Sequence, residues 1–547
     1  MEDMSRPNGA HPRSLRSAAA LGLVAALAVG CTAADADTTV AGRAAVGTSP
    51  LPTVPPAQPP AQLTRVKVET AVNRLDAVVR DAMHRTGVPG IAVGVVYDDK
   101  VMYLKGFGVR KVGTKDQVGA DTVFQLASVS KPLASTVVAA AVGEKTVGWD
   151  DPVVKYTPGF ALKDPWVSRH VTLADLFSHR SGLPDHAGDI LEDLGYDRSY
   201  ILDHLRYEPL APFRAHYAYT NFGLTEAAVA AARAAGTNWE KLSADKVYRP
   251  LGMDSTSSSF ADYEKAGNKA SLHVKTGSTW RAAYVRDPDA QSPAGGASST
   301  VRDMTKWLRL QLGNGKFEGR QVVDAAALEE THVPHMVSEP PHSPAGRTGF
   351  YGLGWNVSYD DQGRLKLGHS GGFALGAATN VALLPSEKLG IVVLTNGEPI
   401  GVPEAISATF LDTAQTGGPT VDWLKFLGPI FQQTLQGERS EVDYSKPPAS
   451  PAPAKANSAY TGTYANEYYG PLTVSAQGNE LTMQIGPKKQ RFVLVHYNGD
   501  MFSYRTTGEM AVGLTGVTFT VGSGGRADKV RVENLDTSGL GTFTRND

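Results

Sequence analysis

The chain of 547 residues is too long for one average domain and predicts two or three folded units with connecting segments. Its composition, 41% hydrophobic and 20% charged, is that of a soluble globular protein, and a formal net charge of −2 without a long Lys/Arg run argues against a nucleic-acid partner. The single cysteine excludes an internal disulfide, so the core must be stable without covalent cross-links.

The N-terminal segment predicts export. Three arginines precede Ser17–Gly30, an apolar stretch of 14 residues, which is short for a membrane span and typical of a signal-peptide core. The stretch ends in LAVGC, which is similar to the lipobox of bacterial lipoproteins, with Ala28 where leucine is more usual. We expect residues 1–31 to be a lipoprotein signal peptide and Cys31 to carry the lipid. The alternative is a plain secretory signal with an incidental cysteine.

Two segments rich in proline and alanine divide the rest of the chain. Residues 32–67 lack apolar periodicity and predict a tether that holds the protein away from a membrane. Residues 437–458 predict a linker of the same kind. They bound a middle unit, 68–436, and a C-terminal unit, 459–547.

The middle unit begins with a helical pattern over Val68–Thr86 and continues with two strand-like runs, Ile91–Tyr97 and Val101–Phe107, around a short polar turn. A second hairpin pattern surrounds Pro385–Lys388 near the end of the unit. The sequence between the hairpins is mostly helical. This order predicts an α+β unit whose two ends pair in one antiparallel sheet flanked by helices, with an all-helical insertion.

The C-terminal unit shows short strand-like runs separated by glycine-rich turns. The runs are Leu472–Ala476, Leu481–Ile485, Phe492–Tyr497, Met501–Tyr504, Val517–Val521 and Val530–Glu533. Such close spacing predicts a small β-barrel or sandwich, in which we find no catalytic constellation.

The stretch FQLASVSKPLAS places Ser128 and Lys131 three residues apart in an apolar run. On a helix these positions share a face, so the lysine can reach the serine hydroxyl and, with a lowered pKa, take its proton. A lone S-x-x-K pair is a weak signal, because the chain has a second one at Ser243 and Lys246 in a charged setting. We interpret the second pair as part of a solvated face.

Two further motifs follow in order. Tyr219 and Asn221 are two residues apart, and such a pair can relay a proton and bind a substrate amide; a similar pair at Tyr464 and Asn466 lies far from the other motifs in the sequence and is set aside. The four residues His369, Ser370, Gly371 and Gly372 precede the last strands of the middle unit. Glycines there let a substrate approach a strand edge, although a glycine-rich turn with a surface histidine fits the same residues.

Together, S-x-x-K, Y-x-N and H-x-G resemble the serine β-lactamase and penicillin-binding protein superfamily, specifically its class C branch. That branch contains class C β-lactamases, D-alanyl-D-alanine carboxypeptidases, D-aminopeptidases and family VIII-type esterases. The stretches GVPGIAVGVV, VTLADLFSHRSGLPD, YRPLGMDST and YGLGWNV are also similar to landmarks of the family. The resemblance covers most of the middle unit and implies a β-lactamase/transpeptidase-like fold. The C-terminal unit resembles the lipocalin-like barrel often appended to this branch.

The resemblance implies a role for each matched residue. Ser128 would attack a carbonyl and form an acyl-enzyme, Lys131 and Tyr219 would move protons, and Asn221 would bind the acyl-side amide. Which of Lys131 and Tyr219 is the general base stays open.

The resemblance also implies how the substrate is held. The N–H groups of Ser128 and Gly372 would form an oxyanion hole, and His369 would face the substrate's carboxylate or leaving group. His186, just after SGLPD, is a further candidate for the pocket lining. No metal or cofactor is implied.

His369 narrows the choice of substrate. Class C β-lactamases typically carry lysine at this position, a permanent cation, whereas histidine is only partly charged near pH 7. We therefore expect a monomeric, exported, lipid-anchored hydrolase of peptidoglycan-like D-amino-acid peptides or small esters, with no nucleic-acid partner. A β-lactamase and a non-catalytic penicillin-binding sensor or scaffold are the alternatives.

Overall fold

A computed structural model describes residues 58–437 and 440–546. The predicted signal peptide, Cys31 and most of the predicted tether lie outside the described residues. Within them no helix is both long and apolar enough to cross a bilayer.

The helices are α1 Arg65–Thr86, α2 Ser130–Gly143, α3 Pro165–His170, α4 Leu173–Phe177, α5 Asp189–Leu194, α6 Arg198–His204, α7 Asn221–Ala234, α8 Trp239–Ser243, α9 Phe260–Lys265, α10 Ser292–Gly295, α11 Val301–Leu312, α12 Ala325–His332, α13 Val402–Thr416 and α14 Trp423–Gly437. The strands of the middle unit are β1 Gly90–Tyr97, β2 Lys100–Gly108, β3 Val123–Gln125, β4 Val274–Thr276, β5 Thr279–Arg281, β6 Ser298–Thr300, β7 Lys316–Phe317, β8 Arg320–Gln321, β9 Met336–Glu339, β10 Gly349–Tyr351, β11 Asn356–Tyr359, β12 Leu365–Phe373, β13 Ala377–Leu384 and β14 Leu389–Thr395. The strands of the C-terminal unit are β15 Gly462–Ala465, β16 Leu472–Gln477, β17 Glu480–Ile485, β18 Gln490–Asn498, β19 Met501–Arg505, β20 Leu514–Val521, β21 Ala527–Val532 and β22 Thr542–Arg545.

The main sheet joins the two ends of the middle unit. Its eight strands follow the order β2-β1-β14-β13-β12-β11-β10-β9, and β1 pairs antiparallel with β14 in a register that sets Ile91 opposite Thr395. Both predicted hairpins are present, with the second turn formed by Pro385–Glu387. The predicted α+β fold is confirmed.

One face of the sheet is covered by α1 and α13. The buried side chains of α1 recur at helical spacing and join a core cluster with sheet residues; they are Val68, Ala71, Leu75, Val79 and Ala82. The helix begins at Arg65, three residues before the predicted boundary, because the Thr64 side chain caps it by accepting a hydrogen bond from the Lys67 amide. Just before it, the Leu63 amide donates to Glu387 at 2.8 Å.

The helical insertion covers the other face, with α2 at its centre. Every side chain of α2 from Ser130 to Ala141 is buried. Small and β-branched residues let α7, α10 and α12 approach α2 closely, and Pro132 lies in the first turn, where a missing N–H costs no hydrogen bond. This packing fixes the N-terminal end of α2, where the S-x-x-K pair lies.

The C-terminal unit is a closed barrel of eight antiparallel strands in sequential order, as expected for a lipocalin-like barrel. Two strands go beyond those predicted: β15 and β22 pair with each other, Tyr464 opposite Arg545, and so close the barrel. The linker lies against the barrel, since Ser440 and Tyr444 both donate to Glu533 at 2.7 Å.

The barrel contacts the middle unit through the segment around α5. The Tyr196 hydroxyl donates to the Tyr469 carbonyl at 2.7 Å, and the Gly188 amide donates to the Tyr468 hydroxyl at 3.1 Å. The Gln490 side chain donates to the Asp193 carbonyl at 2.8 Å. The contact therefore lies close in sequence to His186, the residue predicted to line the pocket.

Candidate active site

Ser128 lies in a tight turn between β3 and α2. The turn is a short 3₁₀ helix over Ala127–Val129, and Ala127 has a φ of 46°. Left-handed backbone is unfavourable for a residue with a Cβ and occurs often at functional sites. The turn is held by its surroundings, because Ala127 is fully buried and the Leu126 amide donates to the Ala297 carbonyl at 2.9 Å.

Lys131 is fully buried beneath Ser128. Its Nζ lies 3.1 Å from Oγ of Ser128, 2.6 Å from Oδ1 of Asn221 and 3.0 Å from the carbonyl oxygen of Ala294. Burial lowers the pKa of Lys131 to about 7, while the Asp189 carboxylate acts in the opposite direction. A substantial fraction of this lysine is therefore neutral at physiological pH.

The three contacts of Nζ suit a neutral amine. Oδ1 of Asn221 and the Ala294 carbonyl can only accept hydrogen bonds, so they take the two amine protons. The lone pair is then left for the one partner that can donate, the Ser128 hydroxyl. Such an arrangement lets the lysine accept the serine proton.

Tyr219 flanks the same pair. It lines the same cavity as Ser128, and the Lys131 Nζ lies 4.4 Å from the centre of its ring. Burial raises the pKa of Tyr219 well above its ordinary value, so the phenol keeps its proton in the free protein. Its backbone is fixed by Asp185, which accepts from the Tyr219 amide at 2.5 Å.

Asn221 and His186 converge on Asp189, a residue that the sequence analysis missed. Oδ2 of Asp189 accepts from Nδ2 of Asn221 at 2.7 Å and lies 2.7 Å from Nδ1 of His186. Asp189 is buried, and its Oδ1 has no protein partner in the described structure. No local pattern marks it, because its role depends on two residues from different segments.

His369 lies on β12 with its ring buried. Nδ1 is 2.6 Å from the carbonyl oxygen of Ser370 and must donate to it, so Nε2 accepts from the Tyr351 hydroxyl at 2.8 Å. Burial, with a smaller effect of the Lys131 charge, lowers the pKa of His369 to about 3. The imidazole is neutral at pH 7 and lies behind Tyr219, at 6.4 Å between ring centres. Tyr351 belongs to the YGLGWNV landmark, which is the signal that could have identified it.

The edge of β12 reaches the Ser128 turn. The pairing of β11 with β12 ends at Gly368, so residues 369–373 have no strand on that side among the described residues. A Cβ at Gly371 would lie 2.3 Å from the Leu126 carbonyl oxygen and 3.0 Å from the Ser128 amide nitrogen. Only glycine permits this approach, which brings the backbone of β12 beside the Ser128 N–H.

The reaction pocket is a cavity of about 90 Å³ above Ser128. Its lining includes seven residues predicted from the sequence: Ser128, His186, Tyr219, Asn221, Ser370, Gly371 and Gly372. The lining residues that the sequence analysis missed include Asp189, Glu192, Arg286, Glu404, Phe431 and three barrel residues, Glu509, Met510 and Ala511. Lys131 lies beneath the pocket and His369 behind it. Four of the lining side chains are carboxyl groups, against one guanidinium.

The second S-x-x-K pair and the second Y-x-N pair, both set aside in the sequence analysis, form hydrogen bonds and ion pairs outside the candidate site. Ser243 bonds to Ser258 at 3.0 Å, while Lys246 forms an ion pair with Glu144. Asn466 donates to the Leu540 and Thr542 carbonyls and organises a barrel turn. Across the described residues, no group of three or more His, Cys, Asp and Glu side chains is arranged to hold a metal ion.

Comparison with known protein families identifies the family to which the chain belongs. A model of the β-lactamase family matches residues 75–414, most of the chain. The chain belongs to the β-lactamase family. The predicted superfamily is thereby confirmed, and residues 446–542 match a second family described as a domain of unknown function (DUF3471).

Several relatives of this β-lactamase-family protein carry names that state an activity. The chain is 27% identical over 418 residues to the unguisins hydrolase ungD' of Aspergillus campestris, covering 73% of this chain and 76% of that protein. It is 27% identical to Penicillin-binding protein 4 of Amycolatopsis lactamdurans, with 70% and 94% covered. It is 24% identical to the D-alanyl-D-alanine-carboxypeptidase/endopeptidase AmpH of Escherichia coli, with 61% and 86% covered.

Solved structures agree on the fold. The octameric penicillin-binding protein homologue from Pyrococcus abyssi matches with a TM-score of 0.54 at 19% identity, covering 84% of this chain and 98% of that chain. A class C β-lactamase from Rhodobacter sphaeroides matches with a TM-score of 0.53 at 22% identity, covering 62% and 99%. These matches support the β-lactamase fold of the middle unit.

Proposed function

We propose that this protein cleaves amide or ester bonds of small D-amino-acid peptides through an acyl-enzyme on Ser128. The observation that carries the proposal is the 3.1 Å contact between Oγ of Ser128 and Nζ of Lys131, a buried amine with a pKa of about 7. A general base works best when its pKa lies near the operating pH. The names of the relatives, which include a hydrolase and a carboxypeptidase/endopeptidase, support the reaction class.

In the acylation step, Oγ of Ser128 attacks the substrate carbonyl while its proton moves to the neutral amine of Lys131. The negative charge that develops on the carbonyl oxygen is stabilised by the N–H groups of Ser128 and Gly372. The Tyr219 phenol donates its proton to the departing amine or alcohol, and the lysine proton restores the phenol. Water then cleaves the acyl-enzyme by the same proton transfers in reverse.

The charge around the pocket favours a substrate with an amino group. Asp189, Glu192, Glu404 and Glu509 line the cavity, while Arg286 is the cation in the lining and is already paired with Glu192. Where they are ionised, these groups attract an ammonium and repel a carboxylate. Burial raises the pKa of Glu404 and Glu509 to about 7, so both are partly ionised near neutral pH, and burial also raises the pKa of Glu192. We therefore favour a D-aminopeptidase-like activity over a carboxypeptidase-like one.

A dedicated β-lactamase is the second candidate, with less support. A β-lactam carries a carboxylate that a fixed cation would hold. His369 is neutral, and both of its ring nitrogens are occupied by Ser370 and Tyr351. Slow turnover of penicillins remains compatible with the acylation geometry.

The proposal is tested by labelling purified residues 58–547 with a fluorophosphonate and a fluorescent penicillin. The wild type should be labelled, Ser128→Ala should not, and Ser243→Ala, the serine of the second S-x-x-K pair, should be labelled like the wild type. The same protein is then assayed with a D-amino-acid anilide, a D-Ala-D-Ala peptide, a p-nitrophenyl ester and a chromogenic β-lactam. Absence of wild-type labelling would contradict the acyl-enzyme, and a preference for the D-Ala-D-Ala peptide would contradict the aminopeptidase-like assignment.

The proposal includes export and attachment to a membrane through Cys31. The support is the sequence of residues 1–31. Cells expressing the full chain and fed an alkyne-tagged fatty acid should label the wild type but not Cys31→Ala. Unlabelled wild type in the soluble fraction would contradict the anchor.

A further inference from the structure

The barrel contributes directly to the reaction pocket. The loop between β19 and β20, residues 506–513 and here called the barrel loop, extends from the barrel to the middle unit. Three of its residues, Glu509, Met510 and Ala511, line the same cavity as Ser128. The C-terminal unit has no catalytic motif of its own, so this contact gives it a place in the chemistry of the middle unit.

Hydrogen bonds hold the barrel loop both to the barrel and to the middle unit. On its barrel side, Oγ1 of Thr506 accepts from the amides of Val512 and Gly513 at 2.8 and 2.9 Å. On the other side, the Asp193 carboxylate accepts from the amides of Glu509 and Met510 at 3.0 and 2.7 Å. A carboxylate that accepts two backbone N–H groups holds a loop in one position relative to its own element, here the end of α5.

The Glu509 side chain holds the turn that follows the H-x-G strand. Its carboxyl oxygens accept from the Ala374 amide at 2.5 Å and from the Leu375 amide at 3.3 Å. These amides come two and three residues after Gly372, whose N–H is placed in the oxyanion hole under the proposed function. The position of that N–H therefore depends on a carboxyl group from the barrel.

Arg286 lies between carboxyl groups of the middle unit and of the barrel loop. Its Nε lies 3.9 Å from Oε2 of Glu509, its Nη2 pairs with Glu192, and its guanidinium lies 5.2 Å from the ring centre of Phe373. Arg286 and Glu192 are both nearly fully buried. The buried cation compensates for two carboxyl groups from different units, which makes the position of Glu509 costly to change.

We propose that the barrel loop is the specificity element of the active site, with Glu509 as a positioning residue for the oxyanion strand and Met510 as a wall that limits substrate size. The inference rests on the proposed acyl-enzyme function. A cavity of about 90 Å³ is well below the several hundred Å³ of ordinary ligand pockets, so it admits a substrate of about one small residue beside Ser128. Bulky groups on that side are excluded by Met510 and its neighbours.

The size effect is tested on Met510→Ala in residues 58–547, with two p-nitrophenyl esters that differ only in acyl size, acetyl and phenylacetyl. The ratio of kcat/KM for the bulky ester over the small one should rise by at least about tenfold. The shortened side chain frees volume that the phenylacetyl group needs and the acetyl group does not. Glu480→Gln, at an exposed position on β17 that does not line the cavity, should leave the ratio and both rates as in the wild type. An unchanged ratio in Met510→Ala would overturn the proposal that the Met510 side chain limits substrate size.

The positioning effect is tested on Glu509→Ala and Glu509→Gln. Glu509→Ala should lower kcat by up to about a hundredfold with a smaller change in KM, because misplacement of a transition-state donor affects chemistry more than binding. Glu509→Gln keeps one acceptor oxygen and should recover part of kcat. A loss equal in both variants, or one confined to KM, would overturn the positioning role.

Two controls separate this inference from the proposed function. Fluorophosphonate labelling of wild-type Ser128 reports the acyl-enzyme chemistry, whatever the barrel does. Thermal unfolding reports whether a variant is folded, and the milder Met510→Leu replaces Met510→Ala if the latter unfolds. If the wild type is labelled and all barrel-loop variants show the wild-type substrate ratio and kcat, the barrel loop has no catalytic role and the proposed function stands alone.

Discussion

Nζ of Lys131 lies 2.6 Å from Oδ1 of Asn221, closer than the 3.1 Å that separates it from Oγ of Ser128. The residue expected to bind the substrate amide is thus also the residue that holds Lys131, the proposed general base. Asn221 is in turn held by Asp189 through a 2.7 Å hydrogen bond. Under the proposed function, substrate binding and proton transfer share one buried network.

The activity should follow the protonation of Lys131. Only the neutral amine can take the serine proton, and burial lowers its pKa to about 7. We expect kcat/KM to rise with pH through an inflection near 7, measured between pH 5 and 9. Lys131→Ala should lose at least about a thousandfold of kcat/KM, a loss in the range of activated-nucleophile mutants. Lys246→Ala is the matched control and should retain wild-type activity; an inflection that persists unchanged in Lys131→Ala would assign it to another group.

Asp189→Asn should lower the pH at which kcat/KM shows the Lys131 inflection. The Asp189 carboxylate raises the pKa of Lys131 against the effect of burial, so removing its charge lets the lysine pKa fall further. The acidic limb of the kcat/KM profile should shift below pH 7. The substitution also replaces the charged acceptor of the Asn221 side chain with a neutral one. We therefore expect kcat/KM on the plateau to fall about tenfold. Asp81→Asn, an exposed carboxylate on α1, serves as the control, and a limb that stays near pH 7 would show that Asp189 does not act on Lys131.

Gly371→Ala should disrupt the approach of β12 to Ser128. The added Cβ would meet the Leu126 carbonyl oxygen at 2.3 Å, and that backbone atom cannot rotate away. We expect a loss of about 1–3 kcal/mol in the free energy of unfolding and a large fall in the acylation rate. Gly119→Ala, where nothing lies within 4 Å of the new Cβ, should change neither. The two variants are compared by denaturant unfolding and by the rate of fluorophosphonate labelling.

Tyr219→Phe should separate substrates by their leaving groups. The raised pKa of Tyr219 keeps the phenol protonated, so it acts as a proton donor to the departing group. An anilide or peptide needs that proton, whereas p-nitrophenolate leaves without it. We expect kcat for the amide to fall about tenfold more than kcat for the p-nitrophenyl ester. Tyr248→Phe, a buried tyrosine bonded to Ser258, is the control, and equal losses on both substrates would argue against a donor role.

Local patterns predicted the parts of this fold that local residues determine. Both hairpins of the middle unit were predicted because polar turns separate strand-like apolar runs, and α1 was predicted from its apolar spacing. The barrel strands β15 and β22 were missed because each has only four residues and one of its two strand partners comes from the opposite end of the unit. The helix α14 was likewise given no prediction.

The site residues divide in the same way. Ser128, Lys131, Tyr219, Asn221 and the H-x-G residues form short motifs, and the structure brings them together, although their catalytic roles stay predictions. Asp189, Arg286 and Glu509 form no motif, because each acts through a partner that is distant in sequence. The burial of His369 was not predictable either, since it depends on Tyr351 from the neighbouring strand β10.

The hydrogen bond from the Ala374 amide to Glu509 spans 135 residues of sequence and has a consequence for synthesis. The nucleophile and its lysine leave the ribosome long before the barrel loop, and units fold in order of emergence. A nascent chain can therefore assemble the catalytic pair with one side of its pocket still open. Under the proposed role of the barrel loop, selectivity is acquired only when the last strands have been translated and the barrel has closed.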